Sequence, residues 1–297
     1  MSLRDFGLVV FVCLVWAGNS VMSKIIISHF GAPPLFYATA RFAVVVLATL
    51  PWLLPAPRPL WRMIVVGLLM GGGTFALVFV GFKTATPSDV AIVSQLGVPL
   101  STLLSVVMLG ETIRWRRALG IGLTLLGVLI VMWNPKGLTP TVGLFFIAGS
   151  AATGALGAVM MKQMEGVRPL QFQAWVGFSS LWPLAALTLL TEQGQVAVLT
   201  HALWPFVGAV LFSGLVVSVM AHTLYFGLIQ KYEVNLLQPL TLLTPLGTIA
   251  LGVWITGDPF DLRTALGSVV ALAGVLIIAL RPNRAMPLIL LDRTRAQ

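Results

Sequence analysis

Two stretches of this chain set polar and aromatic side chains at helical spacing within apolar sequence. In the first, Cys13, Trp16, Ser20 and Ser23 recur at intervals of 3, 4 and 3, with Asn19 beside them. In the second, Gly214, Ser218, His222 and Tyr225 recur at intervals of 4, 4 and 3. Such spacing puts each set on one face of a helix. An indole offers a flat apolar wall and an amide offers a hydrogen-bonding anchor. The imidazole of His222, the one histidine inside an apolar run, can bond a carboxylate or exchange a proton near neutral pH. This is chemistry for gripping a small amphipathic solute. The same residue types also suit helix packing, in which Asn, Ser and His bond a neighbouring helix.

A third constellation surrounds two prolines. Ser94, Gln95, Ser101 and Thr102 flank Pro99, while Gln238, Thr241, Thr244 and Thr248 flank Pro245. Gln238, Thr241, Pro245 and Thr248 share a helix face. Each proline removes the hydrogen bond to the carbonyl four residues earlier, that of Gln95 or Thr241. A freed carbonyl inside a bilayer needs protein or water around it. The prediction is a pair of broken helices beside a cavity, with carbonyls open to an ammonium group and Pro99 and Pro245 as hinges. Kinks that serve packing are the plainer alternative. Gly67-x-x-x-Gly71 allows close helix approach, and Phe75 and Phe79 beyond it are expected to face the same cavity. Trp175 and Trp182 are expected to be packing or interface residues. The candidate solute-binding set is Trp16, Asn19, Ser20, Phe79, Ser94, Gln95, His222, Gln238 and Thr241.

Other chemistry is missing. No acid lies near the middle of an apolar run: Asp5, Asp89, Glu111, Glu165, Glu192, Glu233, Asp258, Asp261 and Asp292 all fall at ends, in loops or in the tail. An exporter of organic cations normally needs an intramembrane carboxylate. Arg41 alone is too little for phosphorylated solutes, and is expected to bond helix-end carbonyls or snorkel. The sequence has no HExxH. Ser213-Gly214 has Leu211 where an intramembrane serine protease would have glycine, and His222 lies on the same helix as the serine. No metal-ligand spacing or nucleotide-binding loop appears, so no catalytic residue, metal or cofactor is expected. The single cysteine, Cys13, permits no intrachain disulfide.

The elements that must position these residues follow from composition. Of 297 residues, 58% are hydrophobic and 9% charged, against roughly a quarter charged in soluble domains. The reading is an all-α polytopic membrane protein surrounded by lipid. The net charge of +9 does not indicate nucleic acid, because the cations sit in short loops. Apolar runs of about 20 residues predict ten spans, at 6–27, 33–53, 62–82, 88–109, 116–133, 140–162, 169–190, 203–229, 234–256 and 263–281. The first suits a retained spanning helix rather than a cleaved signal peptide. With the N-terminus inside, 13 cations lie on the cytoplasmic side: Arg4, Arg58, Arg62, Arg114, Arg116, Arg117, Lys162, Arg168, Lys231, Arg281, Arg284, Arg293 and Arg295. The other side holds 4: Lys24, Lys83, Lys136 and Arg263. The positive-inside rule then predicts two cytoplasmic termini.

Residues 110–131 and 257–278 repeat one segment at an offset of 147, sharing Gly110/Gly257, Arg116/Arg263, Gly120/Gly267 and Gly127/Gly274 among others. Weaker matches pair Pro34-Leu35 with Pro169-Leu170 and, at an offset of 146, Gly81/Gly227 and Pro99/Pro245. The predicted units are residues 5–134, residues 140–281 and a cytoplasmic tail at 282–297. Five helices is an odd number, so the two units must be inverted in the membrane. Inverted repeats predict a site near the midplane and two alternating conformations.

Trp16-Ala17-Gly18-Asn19-Ser20 with Lys24, Pro34-Leu35-Phe36 leading to Arg41-Phe42, and the proline, Gly-acid and Ala-Leu-Gly series of spans 4–5 and 9–10 together resemble EamA domains. Over about residues 5–281 the chain is similar to the ten-helix EamA type of the drug/metabolite transporter superfamily, most like bacterial exporters of aromatic amino acids. The resemblance implies a central cavity among spans 1, 3, 4, 6, 8 and 9, a small-molecule substrate, and a place in the bacterial inner membrane. The expected function is export of aromatic and other small neutral amino acids or related metabolites by alternating access. A broad drug/metabolite exporter is the first alternative, and a nontransporting channel or receptor the second. The pseudo-symmetry completed within one chain suits a monomer.

Overall fold

The structure, a computed structural model, describes residues 1–110, 113–133, 139–164, 166–232, 237 and 239–280. Those residues form helices and connecting turns, with no strand among them. Among the described residues nine helices are long and apolar enough to span a bilayer, and a shorter one completes a ten-helix membrane protein. They are α1 Leu3–His29, α2 Pro34–Leu53, α3 Leu60–Gly81, α4 Pro87–Leu109, α5 Trp115–Met132, α6 Val142–Met161, α7 Pro169–Thr191, α8 Leu203–Leu228, α9 Leu243–Thr256 and α10 Leu262–Ala279. A short helix, Gln195–His201, precedes α8. Span 9 was expected from residue 234; of its predicted start, 234–236 and Gln238 lie outside the described residues. So does the tail beyond Leu280.

The duplicated segments pack against one another. A Cβ on Gly120 would lie 2.8 Å from the Gly274 carbonyl oxygen, and one on Gly274 2.6 Å from that of Gly120. Gly127 and Gly267 oppose each other in the same way. Residue 120 meets 274 while 127 meets 267, so α5 and α10 run antiparallel. Between these contacts the Thr124 hydroxyl approaches the Ala271 carbonyl at 3.5 Å. Positions 124 and 271 are themselves separated by the repeat offset, so the local two-fold axis passes between them. Glycine is required here because backbone touches backbone.

α2 and α7 are also antiparallel. Glu192 at the end of α7 accepts from the Leu35 and Phe36 amides, at 2.9 Å each, at the start of α2. At the other end the Trp175 indole donates to Leu53 O at 3.1 Å. A carboxylate on unpaired amides at a helix N-terminus satisfies both. Trp175 is buried, as a packing residue is, and Trp182 is exposed.

The third helix of each half changes its winding at a matching place. α3 is π-helical over Leu68–Gly73 and α8 over Phe212–Ala221. Each widened turn lies against the second helix of the other half. In α3, the Ser180 hydroxyl accepts from the Gly72 amide at 2.7 Å and donates to Gly67 O at 3.1 Å. In α8, Gly214 lies close to Val44 and to the backbone of Arg41. Such widened turns gather at functional sites.

Candidate functional site

The largest fully buried side chain is that of Arg41, 1% exposed in the middle of α2. Its Nε and Nη2 donate to Ser218 Oγ at 3.1 and 2.8 Å. Ser218 in turn donates to Ser213 O at 2.9 Å, across the π turn of α8. The guanidinium lies 3.7 Å from the Phe75 ring centroid. Arg41 Nη1 has no hydrogen-bond partner. The expectation of snorkelling or of helix-end carbonyls is therefore corrected: the residue is sealed inside and bonds a serine hydroxyl. Sequence reasoning noticed this cation but left it out of the site. Its position as the one cation near the middle of a span was the available signal.

From Arg41 an aromatic chain runs in both directions. Phe75 meets Phe79 at 5.8 Å, and Phe79 meets Tyr37 at 4.8 Å. Phe79 is thus turned to α2 and buried at 1%. On α8, one turn beyond Ser218, His222 meets Trp16 of α1 at a centroid distance of 5.2 Å, and Tyr225 meets the same indole at 5.1 Å. His222 Nδ1 lies 2.7 Å from Val217 O. A carbonyl only accepts, so Nδ1 is the donor and the ring's Nε2 has the lone pair when the imidazole is neutral. Trp16 Nε1 and Asn19 Oδ1 are buried and lack hydrogen-bond partners. They sit three residues apart, on one side of α1. The Ser20 hydroxyl donates to Trp16 O at 3.3 Å, within its own helix.

Other expected residues lie elsewhere. Ser94 lines a groove of about 330 Å³ between α3, α4 and α6, together with Thr74, Val78, Ser150 and Gly154. Phe75 and Phe79 are absent from that lining and face α2 instead. Gln95 donates to Ala91 O of its own helix at 3.3 Å. Ahead of each proline the backbone tightens: Ser94–Leu96 forms a 3-10 turn, and Leu242 and Thr244 donate to carbonyls three residues back, at 3.2 and 2.9 Å. The Thr241 carbonyl, expected to be free, is the acceptor of the Thr244 amide. A proline deletes one donor, and the tighter turn supplies another. The six helices expected round one space are thus seen as a groove of α3, α4 and α6 and an aromatic cluster of α1, α2, α3 and α8.

The family model described as the EamA-like transporter family matches residues 6–133 and again 141–280. The chain belongs to the EamA-like transporter family. It is a multi-pass membrane transporter rather than an enzyme. A "Probable amino-acid metabolite efflux pump" of Salmonella typhimurium is 25% identical over 289 residues, covering 93% of this chain and 95% of that protein. One of the same description from Escherichia coli is 23% identical, with 93% and 95% covered. A solved crystal structure superposes with a TM-score of 0.63 at 18% identity, over 93% of this chain and 98% of the other. That likeness concerns the fold alone.

Within this EamA-like transporter, symmetric interfaces carry different chemistry. α3 meets α6 through Gly81 and Gly143 and through Thr74 and Thr153, whose hydroxyls are 3.3 Å apart. The matching interface of α8 with α1 carries Trp16, His222 and Tyr225. At the offset of 135 between α2 and α7, Arg41 corresponds to Val176. The scaffold repeats, whereas Arg41, Trp16 and His222 stand on one side only.

Proposed function

We propose that this EamA-like transporter exports amino acids, aromatic and other small neutral ones, or closely related metabolites, by alternating access. The observation that carries the reading is on α1: a buried indole N–H and a buried amide oxygen, each without a hydrogen-bond partner, beside an imidazole and a phenol. A buried polar atom left unpaired costs about 1–3 kcal/mol, so such atoms favour a polar guest. The Trp16 ring supplies an apolar wall for a side chain. Efflux-pump relatives matched along nearly their whole length support the same reading. Ser94, Gln95, Gln238 and Thr241 are proposed as the second wall, with Pro99 and Pro245 as the points about which α4 and α9 bend. The protein works as a monomer in the bacterial inner membrane, with both termini in the cytoplasm.

The groove at Ser94 favours a second reading. Its lining of Gly97, Val98, Ala151, Gly154 and Ala155 makes few chemical demands, which suits a broad drug/metabolite exporter. Purified protein in liposomes separates the two. Counterflow of labelled phenylalanine or threonine without ATP, competed by amino acids and not by unrelated amphipathic drugs, is expected. Equal competition by both classes favours the broad exporter. A conductance without counterflow would make the protein a channel.

A further inference from the structure

We propose that Arg41 is the anchor for the carboxylate of the transported solute, an inference that rests on the amino-acid reading above. The first observation is a charge without a counter-charge. Among the described residues every carboxylate lies at a helix end. Asp5 accepts from Lys231 and Tyr232, Glu192 from the start of α2, and Asp258 from Ser88. Asp261 accepts from the Thr264 amide, and Asp89 lies in the capped first turn of α4. None forms an ion pair with Arg41. A buried ion normally requires a partner of opposite charge and full hydrogen bonding.

The second observation is which part of the guanidinium is already used. Ser218 takes Nε and one Nη2 hydrogen on a single edge, and Phe75 covers a face. The end formed by Nη1 and the remaining Nη2 hydrogen is left, and Nη1 has no hydrogen-bond partner. Two parallel N–H groups in one plane match the two oxygens of a carboxylate. The serine and the ring fix the plane of the fork, so little rotamer freedom is lost on binding.

The third observation is placement. Ser218 is one helical turn from His222, whose ring touches Trp16. A zwitterion with its carboxylate on Arg41 has an imidazole lone pair and the Asn19 oxygen on neighbouring helices to receive its ammonium group. The rings of Phe75 and Trp16 lie against the guanidinium and the imidazole respectively. The carboxylate then neutralises the guanidinium and neutral acceptors hold the ammonium group, so the occupied site carries one net positive charge, no more than the empty site. An amine without a carboxylate would add a second cation there. This accounts for selectivity toward amino acids by a site with no acid of its own.

The test uses the full-length protein in liposomes, with exchange of labelled phenylalanine competed by phenylalanine and by phenylalaninamide, which lacks the carboxylate charge. The wild type is expected to prefer the acid. Removing one partner of a buried charge pair has a large effect, so Arg41→Gln should raise the acid's half-inhibition concentration by at least ~30-fold and the amide's by less than ~3-fold. Arg41→Lys keeps the charge without the fork and should fall between. Ser218→Ala, which frees the fork to rotate, should shift the same ratio in the same direction. If Arg41→Gln does not fold, the ratio in the other two variants decides. Should acid and amide weaken together in the folded variants, Arg41 is a packing residue and the inference is overturned while the amino-acid reading stands. If the wild type exchanges no amino acid, both fall.

Discussion

At the level of single residues, the outcome turns on which polar atoms remain unpaired. Cys13, Ser20, Gln95 and Thr248 each bond a main-chain carbonyl, which is the ordinary settlement of polar groups in apolar surroundings. Trp16 Nε1, Asn19 Oδ1 and Arg41 Nη1 do not settle that way. Truncating Trp16 should therefore injure binding more than folding. Trp16→Ala is expected to raise the half-saturation concentration for phenylalanine about 10-fold or more, in line with the energetics of losing one buried aromatic contact. Its detergent melting temperature should fall by only a few degrees. Unchanged transport would remove Trp16 from the site, and a collapse of folded yield would make it a packing residue.

Spacing made these side chains legible as a face, yet it could not say what the face meets. Phe75 and Phe79 read as cavity-lining from their position beyond the glycines, and instead close over Arg41 and Tyr37. Helical periodicity fixes the angle of a side chain about its own axis. The neighbour across from it depends on packing between helices distant in sequence.

At the level of elements, the α5–α10 seam was the clearest feature of the chain, because duplicated glycines have a mechanical meaning. The Cβ of Gly127→Ala would lie 2.3 Å from Ala271 N and 2.6 Å from Gly267 O. Both are backbone atoms that cannot swing aside, so the helices must separate. Gly122→Ala meets nothing within 4 Å. Thermal unfolding in detergent should show Gly127→Ala destabilised by about 1–3 kcal/mol, typical of overpacking, with Gly122→Ala near the parent. Comparable melting of the two variants would refute close contact at this seam. The π turns of α3 and α8 were not legible. Sequence showed three glycines in the α3 stretch and one in that of α8, and the widened turn of α3 takes up a hydroxyl from a partner helix, that of Ser180. Ahead of Pro99 and Pro245 the winding tightens, a local response that keeps the Thr241 carbonyl bonded and that the sequence did not show.

For the whole molecule, contacts between helix ends fall into two groups. One joins Asp5 with Lys231 and Tyr232, and Arg62 with Gln163. The hydrogen bond to the Asp5 carboxylate, together with its negative charge, raises the affinity of Lys231 for its proton. The other joins Lys24 and Ser28 with Phe82, Ser88 with Asp258, and Glu192 with the start of α2. No contact among these crosses from one group to the other, as alternating helix directions require. On the proposed topology the first group faces the cytoplasm. In cells whose Cys13 is replaced by Ser, Ser2→Cys should resist a membrane-impermeant maleimide until lysis, and Gln195→Cys should react in intact cells. The reverse pattern would invert the assignment.

The sequence by itself determined the membrane class, the number of helices and the duplication, because these rest on local hydropathy, helix length and repeated residues. An odd number of helices per unit then dictated inversion without any coordinates. Only the tertiary structure decided which polar atoms are left without partners, that α2 contributes Arg41 to the cluster, and that Trp16 and His222 touch. Those facts depend on close approach between α1, α2, α3 and α8, whose residues lie up to about two hundred positions apart. Whether a buried polar group is settled or left to receive a guest depends on what stands opposite it, and no single helix encodes that.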